Sequence, residues 1–126
     1  MLKTFRMLAL SVSVVTVTAL TGLSTAHAAD ENKVSEEALA KGKELAFHRS
    51  KGNCLACHMI AGGDMPGNIG PPLIAMKARY PDRDKLREQI SDPRIKNPNT
   101  IMIPYGPHGV LSDEEIDLIT DFVHSL

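Results

Sequence analysis

Tryptophan is absent from these 126 residues, aromatic side chains make up 4% of them, and there are only two cysteines. With a formal charge of −1 and few aromatics, the chain has little with which to stack bases or follow a phosphate backbone, which argues against nucleic-acid binding. Two cysteines also fall short of the roughly four ligands that a structural zinc ion takes. No segment alternates apolar and polar residues in the manner of a strand, so the βαβ context of a thioredoxin-like redox pair is missing too. Beyond residue 28 no run is long and apolar enough to span a bilayer. All eight prolines lie between Pro66 and Pro107, which breaks the middle of the chain into loops and leaves both ends free for helices. No Lys or Arg follows Lys96.

The first residues read as an export signal. Lys3 and Arg6 precede a mostly apolar stretch from Met7 to Val17, and Ala26-His27-Ala28 has the A-x-A form of a cleavage site. An uncleaved membrane anchor is the alternative, but the apolar stretch is short and diluted by Ser and Thr, where a spanning helix wants about 20 apolar residues. Cleavage after Ala28 leaves residues 29–126, one small domain of 98 residues with a formal charge of −3, since Lys3 and Arg6 leave and no acid does. A chain of that size buries limited apolar surface by itself.

Cys54-Leu55-Ala56-Cys57-His58 is where both thiols are used. Cys-x-x-Cys-His is the pattern of covalent c-type haem attachment. If these residues are helical, positions i, i+3 and i+4 share a face. Two sulfurs can then form thioethers at one haem edge while the imidazole reaches the iron. A haem would supply the large apolar body the core otherwise lacks, and export to the periplasm suits such a protein.

Ser35 is the expected N-cap of a first helix with Glu36 and Glu37 in its opening turn. Val34, Ala38, Leu39, Gly42, Leu45 and Ala46 recur along it at helical spacing, and Ser50-Lys51-Gly52-Asn53 leads away from it. Gly42 costs about 1 kcal/mol against Ala in a helix interior, and it either marks a close helix crossing or is simply tolerated. Short helices are expected over Leu73 to Arg79 and Asp84 to Ser91, and irregular chain from Pro93 to Gly109. Ser112-Asp113-Glu114-Glu115 is a capping box. It opens a last helix to about Ser125 with Ile116, Ile119, Val123 and Leu126 as its apolar stripe. The fold class is all-α, with the terminal helices crossing over the haem. Residues 77–96 carry seven bases against four acids, while five acids follow Lys96. That imbalance reads first as solvated helix faces, and alternatively as a dipolar surface that orients partners.

His58 fills one axial position on the iron, and its other ring nitrogen needs an acceptor to fix tautomer and orientation. Pro71, in Gly70-Pro71-Pro72-Leu73, offers a carbonyl on a rigid backbone, although the same residues would also make a plain turn. For the opposite axial position Met59 is too close to His58, Met65 sits in a loop leading away, and Met76 lies where a methionine is most often core filler. His48 and His124 are expected on the surface. Met102 and His108 remain. Met102 is favoured because Pro98 and Pro104 stiffen its loop. A His/Met pair raises the reduction potential and leaves no open position, so the expected chemistry is electron transfer.

Gly52-Asn53-Cys54-Leu55-Ala56-Cys57-His58 and Gly70-Pro71-Pro72-Leu73 resemble the class I cytochromes c. Asn97-Pro98-Asn99-Thr100-Ile101-Met102 and Gly106-Pro107-His108-Gly109-Val110-Leu111 make the chain more closely similar to the SoxX subunits of SoxAX sulfur-oxidation complexes. One departure is Ile103, which stands where SoxX-like chains tend to carry the first of two prolines after the ligand methionine. The resemblance implies the electron-transfer subunit of an L-cysteine S-thiosulfotransferase with a SoxA-like haem partner. Its substrates would be thiosulfate and a cysteine on a SoxYZ-like carrier, and its electrons would pass to a small cytochrome c. A free-standing periplasmic shuttle is the competing expectation, and a haem-based ligand sensor, which needs an open sixth position, is a third.

Overall fold

Ser35 and Ser112 start the two long helices. The computed structural model describes residues 34–126, so the export signal expected over residues 1–28 lies outside the described residues. Helix α1 spans Glu36–Phe47, α2 Met76–Arg79, α3 Arg83–Ser91 and α4 Asp113–His124, with 3₁₀ turns at Cys54–Ala56 and Pro93–Ile95. No strand occurs among the described residues. The Ser35 hydroxyl accepts from the Ala38 N–H, and Ser112 and Glu115 form the expected reciprocal capping box.

Helices α1 and α4 cross, and Gly42 is the reason they can. A Cβ at that position would collide with the Leu118 carbonyl and with the Cβ of Phe122. Beside the crossing, Phe47 meets Phe122 edge to face, with centroids 5.9 Å apart. Around it Leu45, Ala46, Ile116, Ile119, Phe122 and Val123 are buried. Phe122 is an addition to the apolar stripe read along the last helix.

Helix α3 packs on the other side of α4, held by the cations of its own sequence. Arg83 Nε donates to Asp121 at 2.5 Å, and Arg87 Nε donates to Asp117 at 2.8 Å. Arg87 also reaches Asp113 at 3.0 Å. These arginines are therefore neither a solvated face nor a free dipolar surface; they brace two helices. The pairing holds the Asp117 carboxyl below the usual carboxylate range, chiefly through its hydrogen bond from Arg87.

The helix expected over Leu73 to Arg79 is confined to its last four residues. The Leu73 N–H is used by the Met59 carbonyl at 2.9 Å, and Ala75 takes a left-handed conformation with φ 49°. His124, expected on the surface, is half-buried, and its Nε2 donates to the Tyr80 carbonyl at 2.9 Å.

Candidate functional site

Cys54 to His58 make one tight turn. Its first three residues form a 3₁₀ turn rather than regular α-helix, yet the His58 N–H still reaches the Cys54 carbonyl at 2.9 Å. The i, i+4 closure that brings imidazole and thiol to one side therefore survives. Asn53 enters the turn at φ 46°, a left-handed conformation that Asn tolerates better than most residues. The turn is laced to the following loop, with the Gly67 N–H on Leu55 and the Gly70 N–H on Cys57 at 2.7 and 2.8 Å.

That lacing carries Pro71 to His58. The imidazole Nδ1 donates to the Pro71 carbonyl at 2.7 Å, which leaves Nε2 with its lone pair free to bind a metal. Gly70 lies against the same ring, since an added Cβ would fall within 2.8 Å of its Nε2. Arg79 secures this loop by donating to the Pro72 carbonyl at 2.8 Å, and also contacts the Met76 sulfur at 3.3 Å.

Cys54, Cys57, His58 and Met102 all line one cavity of about 320 Å³. Its remaining wall is mostly apolar, from Leu73, Met76, Leu86, Ile90, Leu111 and Val123. Among the described residues His58 is the only histidine in the lining, so His48, His108 and His124 stand outside it, as do Met59 and Met65. Met76 is buried core, as expected, but also forms part of the wall. Met102 is half-buried, on a loop stiffened by a bond from its own N–H to the Thr100 hydroxyl at 3.1 Å.

The donor set fits a haem and little else. Both thiols are free, and burial pushes the Cys54 thiol up to about 11. A protonated thiol in an apolar seat is a poor ligand for a bare metal and a poor partner for disulfide exchange. Among the described residues no group of three or more His, Cys, Asp or Glu could hold such an ion. A mostly apolar cavity lined by two thiols, an imidazole and a thioether suits a large planar iron cofactor.

One member of the wall was not singled out in the sequence. Tyr105 is buried, and its hydroxyl donates to the Gly52 carbonyl, two residues before Cys54. Burial is the main cause that holds this phenol well above its ordinary pKa, so it stays a donor. The signal was there to read, because a buried tyrosine hydroxyl almost always finds an acceptor.

The cytochrome c family model matches residues 39–126. An uncharacterized lipoprotein of Aquifex aeolicus (strain VF5) is 38% identical over 78 residues, 59% of this chain but 36% of that protein. The chain thus spans little more than a third of the length of this curated relative. In fold, the chain is similar to one in the crystal structure of SoxXA from P. pantotrophus. The TM-score is 0.62 at 22% identity, covering 68% of this chain and 79% of that one. The family match takes in α4, all but the first three residues of α1, and every residue that lines the cavity: the chain belongs to the cytochrome c family, with one covalently bound haem c as its cofactor.

Proposed function

We propose that the protein is the electron-transfer subunit of a SoxAX-like L-cysteine S-thiosulfotransferase, carrying its haem between His58 and Met102. The observation that carries the site reading is the His58–Pro71 hydrogen bond at 2.7 Å, formed beside two free thiols in a cavity that Met102 also lines. Bound haem c supplies a one-electron iron couple. Cys54 and Cys57 would tether it as thioethers, and His58 Nε2 and the Met102 sulfur would hold its iron. The Pro71 carbonyl fixes the imidazole's tautomer and ring orientation. Leu73, Leu86, Ile90 and Val123 keep water from the ring. Held by imidazole and thioether, the iron would offer no position to a substrate and would have a raised potential.

The subunit assignment rests on the SoxX-like stretches around Met102 and His108 and on the fold shared with a chain of SoxXA. Both cysteines belong to the haem turn, so the sulfur chemistry falls to a SoxA-like partner and a SoxYZ-like carrier. Ile69 and Ile101, at the cavity mouth, are 64% and 79% exposed, an apolar rim suited to a lasting partner. Electrons would leave to a small cytochrome c. The same reading makes residues 1–28 a removed signal and residues 29–126 a periplasmic protein. No helix among the described residues is long and apolar enough to cross a membrane.

Purification of the exported holoprotein from its native host tests the assignment. The expected result is a stable complex with a second haem protein, whose thiosulfate-coupling rate rises when this chain is added back. A monomer that reduces rapidly but never changes that rate would instead make it a free-standing shuttle.

A further inference from the structure

The methionine loop is tied to the haem-attachment turn by one side chain. Tyr105 lies three residues after Met102, and its hydroxyl donates to the carbonyl of Gly52. Gly52 is a fixed point. It is buried, its N–H is held by the Leu45 carbonyl at 3.1 Å, and a Cβ there would press on Ala46, Leu45 and the Ile119 side chain. Among the described residues no backbone N–H reaches the Gly52 carbonyl, so Tyr105 is its donor. On the Met102 side Ile101 and Ile103 are exposed and the Met102 N–H is used within the loop by Thr100, while Pro104 is buried and Met102 packs against the core.

The geometry points to Tyr105 as a positioning residue: through Gly52 it holds the methionine loop closed over the axial position and so limits the entry of foreign ligands. The inference rests on Met102 being the axial ligand. An added ligand binds only when the sulfur has left, so its apparent affinity is scaled by the fraction of molecules with the loop open. Removing the hydroxyl leaves a buried acceptor unsatisfied in the closed form alone, and the open fraction rises.

Imidazole titration of the ferric holoprotein tests this, followed by loss of the methionine-to-iron absorption band. Tyr105→Phe should keep the band without imidazole and bind imidazole about tenfold more tightly than the wild type. An affinity within twofold of the wild type overturns the proposal, even if the variant melts at a lower temperature, because a purely structural role predicts that pattern. A wild-type protein without the band removes the Met102 reading and the proposal with it, which separates the two failures. If Tyr105→Phe loads no haem, amide exchange of the wild-type holoprotein decides. Met102 protected to within tenfold of Gly52 supports the tie; Met102 exchanging freely beside a protected Gly52 overturns it.

Discussion

Gly70 lies against the imidazole of His58 so closely that no other residue fits between them. The Nδ1 atom would be 2.6 Å from an added Cβ, while the neighbouring Pro71 accepts the hydrogen bond from that same nitrogen at 2.7 Å. Gly70→Ala should therefore push the imidazole off its acceptor. Overpacking of this kind costs about 1–3 kcal/mol. A melt of the holoprotein should fall by several degrees, and the reduction potential should shift with it; an unchanged melt and potential would show that the loop yields without cost.

Gly42 plays the corresponding part at the crossing of α1 and α4. Alanine improves helix propensity by up to about 1 kcal/mol, but its Cβ would meet the Leu118 carbonyl, which is backbone and cannot swing away. Gly42→Ala should destabilise the holoprotein, and Gly42→Leu should prevent its folding. Both are read by far-ultraviolet circular dichroism during thermal unfolding.

Acid should loosen the α3–α4 brace. Asp117 has its pKa lowered in the folded protein, first by Arg87 and then by Arg83. Its contribution is present above the unfolded value of about 3.9 and is lost as pH falls through the lower folded value. The Asp117 side chain is 43% exposed, so solvent screening keeps the effect at about 1 kcal/mol or less. Asp117→Asn should lower the melting temperature by a few degrees at pH 7, and the gap to the wild type should shrink on approach to pH 3. A gap that stays constant would assign the loss to something other than the charge.

Replacing both Cys54 and Cys57 by Ala should abolish haem retention and leave a poorly folded chain. Leu73, Leu86 and Ile90 line the cavity, so the core they belong to or pack against would lose the apolar contacts that a haem adds there. Helix content of the purified variant is the measurement. A cooperative unfolding transition in a colourless protein would contradict the dependence of the core on its cofactor.

What was legible in the sequence was mostly local. Ser35 and Ser112 could be placed as caps because the bonds they make lie within three residues. Cys54, Cys57 and His58 could be named because haem attachment imposes a fixed spacing, and Pro71 because its carbonyl sits on a rigid backbone. What escaped depended on partners distant in the chain. The Leu73 N–H is drawn out of a helix by Met59, Phe122 is buried by α1, and the Tyr105 hydroxyl finds its acceptor 53 positions away. The arginines of α3 looked like surface charge for the same reason, since their acids lie 26 to 38 residues further on. His124 shows the limit most plainly: nothing in the last helix foretells that its ring will meet the Tyr80 carbonyl.

The absorption spectrum of the purified holoprotein tests the central claim most directly, taken in the ferric state and again after reduction under carbon monoxide. Closure of the iron by His58 and Met102 predicts a methionine-to-iron band in the first spectrum and no carbon monoxide adduct in the second at neutral pH. Met102→Ala should lose the band and lower the potential by on the order of 0.1 V, a fraction of the ~0.8 V that axial ligands span. A wild-type protein that lacks the band and takes up carbon monoxide at once would contradict the account.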